Sequence, residues 1–420
     1  MNAMASRFIT NGIHRAKPHF GSCGEFLAEK PIYPLRSEQY FLFFFAFISI
    51  EKTIVKGAIL LFSLLLSLQA LAQEKAVPDS MKLIFMGDIM AHGSQIRAGV
   101  DSTSGLHDFY PVFEKVSPII NQADYAIANL EVTLGGKPYS GYPRFSAPEQ
   151  LAVAARQNGI DVLVTANNHS CDRRKTGILK TIRSLDSLKI KHTGTFADSL
   201  ARDSTNLLVL SKGNIRVGLL NYTYGTNGIP VPKPTIVNLI DTVQMAKDII
   251  AAQADSLDKL IVVLHWGYEY QSQPSAPQKK LAGFLFGKGV DIIVGAHPHV
   301  LQPMHYFPAD STSKERLVAY SLGNFVSNQR PRKRDGGAML SITLTKHEGE
   351  TLISNKGYHL VWVNKPIIDG RTNFQVIPAA VTEQNKFDGL SPNSRDKIRL
   401  FLKDSRALFK KSNKDVKELK

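Results

Sequence analysis

The feature that most constrains this chain is a set of short apolar runs, each cut off at once by polar residues. Segments 82–87 (KLIFMG), 125–129, 162–166, 260–264 and 292–295 are such runs. Their unbroken Ile, Val, Leu and Ala content suits strands buried on both faces. Helical stretches lie between them at 111–121, 146–157, 176–188, 242–256 and 277–288. Ser146 and Glu149 have the spacing of a capping box, which predicts that the second of these helices opens there. Strands alternating with helices predict an α/β layered fold with a largely parallel sheet. Segments 207–210 and 215–220, joined by Lys212-Gly213-Asn214, read as a hairpin. Further strands at 317–321, 338–344 and 359–363 predict a second, mostly antiparallel sheet. Nothing marks a boundary inside 81–380, which predicts one catalytic domain, followed by a helical tail over 381–420 with its helix at 395–411.

The front end carries a second kind of signal. Lys52 and Lys56 precede an apolar run at 57–68, and Ala70-Leu71-Ala72 then places small residues before Gln73. That order is expected of a secretory signal peptide over 51–72, cut before Gln73. Another apolar stretch, 40–50, is separated from this run by Glu51 and Lys52, so the two are not expected to form one clean helix. Residues 1–39 are mixed and lack periodicity, so 1–50 reads as an extension ahead of a true start near residue 50. The alternative is a cytoplasmic extension before an uncleaved anchor. Either way the expected destination is export, periplasmic or extracellular, with membrane attachment if the signal is retained. No Cys follows the cleavage point, which argues against a lipid anchor. Cys23 and Cys171 are the only cysteines, and a cleaved chain would keep Cys171 alone, without an intrachain disulfide.

Lys and Arg outnumber Asp and Glu 51 to 36, a net charge of +15. A basic surface favours polyanions, and ordinary solubility charge explains it equally well. No strongly basic helix or aromatic-interleaved patch is present, so no specific nucleic-acid partner is expected. The run 330–334 (RPRKR) and the Lys-rich end from Lys410 read as a solvated loop and tail.

Polar clusters sit at the carboxyl ends of the strand-like runs, where α/β sheets build their functional crevice. They are Asp88; Asn129-Leu130-Glu131; Asn167-Asn168-His169 with Asp172; His265 with Glu269; and His297-Pro298-His299. Each alone has an ordinary explanation, a turn or a satisfied polar group. Five clusters in the same position relative to their strands predict a mixed nitrogen and oxygen site for Mn, Fe, Zn or a similar divalent ion. Asp172 has two readings, orienting a ligand or capping the helix that starts near Lys175. Tyr222, Tyr224, Trp266, Tyr268 and Tyr270 either line a groove or pack in the core. Cys171 has no base partner and is assigned no catalytic role.

Eight strings occur in order: FMGDIMAHG (85–93), ANLEVTL (128–134), TANNHSCD (165–172), HTGTF (192–196), NYTYGTNG (221–228), LHWGYEY (264–270), GAHPHVLQP (295–303) and YSLGNF (320–325). Over roughly 81–330 they resemble the capsule-synthesis proteins called CapA or PgsA. That family is similar to calcineurin-like metallophosphoesterases. The resemblance implies a layered αββα sandwich, two mixed sheets flanked by helices, around two divalent metal ions. It implies Asp88, Glu131, Asn168, His265, His297 and His299 as metal ligands, with Glu131 where a bridging Asp is usual. His169 corresponds to the histidine that protonates the leaving group. His92, Asn129, Asp172, Tyr224, Glu269 and Asn324 are expected as substrate-binding or supporting residues. One departure stands out: Met90 occupies a position where Asp-x-His is the rule, and His92 lies two residues on.

The implied role is synthesis, export or anchoring of poly-gamma-glutamate or a related anionic polymer, with membrane-bound capsule-synthesis subunits as partners. The residues leave three readings open: a metal-dependent hydrolase, a polymer-binding or assembly subunit retaining the metal site, and a secreted phosphodiesterase unrelated to capsule.

Overall fold

The computed structural model describes residues 37–71, 79–368 and 370–419. Two compact units are present, Met1–Ala76 and Val77–Lys420. The expected extension over 1–36 and the cleavage junction with its linker at 72–78 lie outside the described residues.

In the first unit a single helix spans Ser37–Leu71. It runs without interruption through Glu51 and Lys52, which corrects the expectation of two separate stretches. Glu and Lys are good helix formers and both are exposed here, so a charged pair does not break the backbone pattern. Among the described residues no helix is long and apolar enough to cross a membrane.

The second unit is built on two mixed sheets. In the first, the order is Gln375–Pro378, Glu350–Asn364, Gly336–His347, Asp79–Ile89, Tyr125–Leu130, Val162–Val164 and Lys191–Thr193. The last four run parallel, and the other three add antiparallel strands beside them. The other sheet has a parallel centre of Arg316–Leu322, Ile292–Ala296, Lys259–His265 and Ile215–Thr223. Antiparallel edges, Leu301–Phe307 and Leu208–Lys212, close it. The expected division into a parallel and an antiparallel sheet is therefore corrected: parallel and antiparallel strands occur in both.

The period-two geometry of a strand explains the layering. Leu83 and Phe85 face the other sheet and meet Val217, Leu219, Val263 and Val294 in one core. Ile84 and Met86 face outward, against Phe113, Ile120, Leu151 and Leu185 from the covering helices. The second sheet repeats this, with Leu220, Val262 and Ile293 outward against Met245, Ile249 and Leu285. Helix, sheet, sheet, helix is the layered α/β architecture expected.

Helix boundaries differ where proline intervenes. The stretch expected at 111–121 is two short helices, Tyr110–Phe113 and Ser117–Ile120, because Pro118 fits a helix start but not its interior. Ser146 caps nothing; its hydroxyl donates to the Gly136 carbonyl at 2.7 Å. Pro148 keeps Ala147 from helical geometry, and that helix opens later, as Gln150–Gln157. The segment expected as a tail packs into the unit: helix Pro392–Ser412 contributes Ile398, Phe401, Leu402 and Phe409 to the core between the sheets. The run 330–334 is only partly solvated. Arg330 donates to the Val363 carbonyl at 2.9 Å, and Arg334 stacks on Tyr270 with its guanidinium carbon 3.2 Å from the ring centre.

Candidate metal centre

Strands from both sheets end at one place. Asp88 closes the Asp79–Ile89 strand, and Asn129 and Glu131 stand at the end of Tyr125–Leu130. His265 ends Lys259–His265, and His297 and His299 follow Ile292–Ala296. The sheets approach closely here. A Cβ on Gly87 would lie 1.9 Å from the Gly323 carbonyl oxygen, so only glycine lets Asp88 reach this position. His297 and His299 adopt φ of 95° and 57°, the left-handed region that non-glycine residues avoid, and such strain gathers at functional sites.

The ligand atoms fall into three overlapping groups, each within 4.8 Å: Glu131, His265 and His297; Asp88, Glu131 and His299; and Glu269, His297 and His299. Glu131 belongs to two of them. Its Oε1 lies 3.5 Å from His265 Nε2 and 3.6 Å from His299 Nε2. Asn168 joins through its Oδ1, 3.1 Å from His265 Nε2. Supporting contacts are specific. Asn129 donates to Asp88 at 2.8 Å and lies 3.2 Å from His265 Nδ1. Asn324 Oδ1 and Asp88 Oδ2 each lie 3.1 Å from His299 Nδ1.

Burial sets the charge state. Desolvation, and then the neighbouring Asp88 charge, hold the Glu131 carboxyl well above the usual range. Desolvation, reinforced by His299, pushes His297 down to about 3. His265 is likewise driven well down, first by burial and then by His297. The imidazoles of His265 and His297 are therefore neutral, the form that binds metals. Both Glu131 oxygens and His297 Nδ1 are buried without any hydrogen-bond partner. Unpartnered carboxylate oxygens beside neutral imidazoles are costly unless a cation binds them, so this donor set fits a divalent metal.

His169 sits at the edge of the centre. Its Nδ1 is 2.7 Å from Asp172 Oδ2, and that oxygen also accepts from the Phe145 main-chain N–H at 2.6 Å. Asp172 therefore holds His169, while the following helix takes Arg173 as its N-cap. Phe145 presses edge-on against the His169 ring, 4.6 Å between centroids. No sequence signal singled out Phe145, which lies in an irregular loop.

The remaining candidates separate. His92 belongs to none of the ligand groups; its Nδ1 faces Gln95 at 3.1 Å and accepts from the Asn328 N–H at 3.3 Å. It does not stand in for the missing histidine, and Met90 is buried in apolar surroundings. Glu269, expected in support, instead offers a ligand atom beside His297 and His299. The aromatics divide likewise. Tyr222 and Trp266 are core residues, bonded to Asp248 at 2.7 Å and to the Tyr320 carbonyl at 2.9 Å. Tyr224, Tyr268 and Tyr270 are exposed. Tyr224 lies 4.5 Å from the His297 ring and borders a cavity of about 520 Å³ that Trp266 and Tyr268 also line. Burial pushes the Cys171 thiol up to about 11, an inert group.

Comparisons with known proteins bear on the family. The capsule biosynthesis protein CapA of Bacillus anthracis is 30% identical over 284 residues, covering 63% of this chain and 64% of that protein. The PGA biosynthesis protein CapA of Bacillus subtilis is 27% identical over 280 residues, covering 64% and 69%. The chain thus spans about two thirds of the length of these relatives. A calcineurin-like phosphoesterase of Bacillus subtilis overlaps 77% of this chain and 100% of its own, at 13% identity and a TM-score of 0.40. The fold assignment stands on the sheets described above and not on that overlap. Residues 82–329 match the bacterial capsule synthesis protein family PGA_cap, and the chain belongs to that family.

Proposed function

We propose that this protein serves the synthesis or export of poly-gamma-glutamate or a related anionic capsule polymer, and that its buried centre is a metal-dependent hydrolytic site. Glu131 carries the reading: a fully buried carboxylate with no hydrogen-bond donor, facing neutral imidazoles. Asp88, Glu131, Asn168, His265, His297 and His299 would hold one or two ions of Mn, Fe or Zn, with Glu269 as a further ligand. A bound ion of this kind activates water and steadies charge on a phosphoryl oxygen.

The chain's own residues supply the rest. Asp172 fixes the His169 ring through Nδ1, which leaves Nε2 to give a proton to the leaving oxygen. Phe145 limits the ring's rotation. Asn129 and Asn324 orient Asp88 and His299 from behind. The net charge of +15 suits an anionic substrate. Export from the cytoplasm and docking to membrane-bound capsule subunits complete the proposal.

One observation favours a second reading, a polymer-binding subunit with a residual metal site: Met90, at the place of a usual histidine, packs in apolar surroundings. The two readings part on His169→Ala with metal supply held constant. A hydrolase predicts a loss of about two to four orders of magnitude on an alkyl phosphodiester. It predicts a far smaller loss on an activated aryl ester, whose leaving group needs little protonation. Equal losses on both remove His169 from the acid role. Wild-type protein that holds metal yet cleaves neither ester supports the binding-subunit reading.

A further inference from the structure

A polar pocket lies between the Gly93–Ala98 helix and the hairpin of Ile367–Ile368 and Arg371–Thr372. Its volume is about 460 Å³, and its wall is formed by Arg97, Lys365 and Arg371 with Ser94 and Thr372 and, among the described residues, no carboxylate. Among the described residues none of the three cations forms an ion pair with a carboxylate. Lys365 Nζ donates to the amide oxygen of Asn328 at 3.1 Å. Asp101 is close enough to interact with Arg371, but its carboxylate is occupied by Ser104 and Thr103. The ammonium of Lys365 is held below its usual range by burial, and then by the charges of Arg330 and Lys397. Ser94 Oγ is buried with no hydrogen-bond partner.

Like charge without a carboxylate partner among the described residues thus gathers at one pocket. An oxyanion offsets that charge, since it accepts from the guanidinium and ammonium groups together. A relay of contacts leads from the pocket toward the centre. Asn328, which receives Lys365, donates its main-chain N–H to His92 at 3.3 Å. His92 in turn packs edge-on against Phe145, with 5.4 Å between ring centroids, and Phe145 packs against His169.

We propose that this pocket binds an oxyanion, and that its natural occupant is a carboxylate of a polyanionic chain whose neighbouring unit lies at the metal centre. The choice of occupant rests on the polymer reading above; the anion site rests on the pocket itself. Free phosphate shares the same chemistry and is the rival source.

The test titrates the full chain with gamma-linked pentaglutamate and, separately, with inorganic phosphate. It compares wild type with a Lys365→Met/Arg371→Gln variant and with Arg97→Gln. All three side chains sit on a pocket wall and not in the core, and metal content serves as the check that the centre is intact. The proposal expects pentaglutamate binding to weaken about tenfold for each cation removed, as for a hydrogen bond to a charged group. The dependence on salt should become shallower in step. Pentaglutamate binding that is the same in wild type and variants overturns the pocket and leaves the polymer reading standing. Phosphate binding that the variants lose, with no pentaglutamate binding to wild type, keeps the anion site and overturns the polymer as its occupant. Neither ligand binding wild type overturns the proposal entirely.

Discussion

Two buried glutamates in this protein face opposite circumstances. Glu315, 3% exposed, is fully engaged: Lys259 Nζ lies 2.9 Å away, Tyr306 donates at 2.9 Å, and the Ile353 N–H donates at 2.7 Å. Glu131, 0% exposed, receives no donor at all. Burial charges both the same desolvation cost, yet only Glu315 recovers it inside the chain. The difference separates a carboxylate that holds the fold together from one that awaits a ligand.

The largest effect that sharpens this contrast is at Glu315. Glu315→Ala leaves Lys259 charged and unpaired in a buried setting, and should cost about 3–5 kcal/mol of stability, read by urea unfolding. Metal content should not change. A loss below about 1 kcal/mol would mean that Glu315 is not the structural anchor described.

Glu131→Gln should behave in the opposite sense in chelator-treated protein. The Glu131 carboxyl is raised above its ordinary 4.5 in the folded state, so the folded protein binds the proton more tightly than the unfolded chain. Stability from this group is full below that ordinary value and is lost as pH rises toward the folded value. Glu131→Gln cannot ionise, so its stability relative to wild type should climb as pH increases above about 4.5, a change read in paired urea melts. A difference that stays flat with pH would show that Glu131 is not desolvated as described.

How much of this was legible in the sequence depends on range. The polar clusters were legible because each follows its own strand directly, as Asp88 and His265 do. Which sheet a strand joins is decided by partners far away: Gly336–His347 pairs with Asp79–Ile89, roughly 250 residues earlier in the chain. Local patterns also misled where a second local rule prevailed, as Pro148 did over the Ser146 capping pattern. The anion pocket could not be read at all. Arg97 and Lys365 come from distant segments and meet at one pocket only in the folded chain.

The Glu131 centre is expected to bind divalent metal. Its most direct test is metal content, by elemental analysis after mild purification and by titration of chelator-treated protein with Mn, Fe and Zn. Wild type should hold one or two ions per chain, and Glu131→Gln and His297→Ala should each lose most of that occupancy while Glu315→Ala retains it. Wild-type protein that contains no metal and takes up none on titration would contradict the claim.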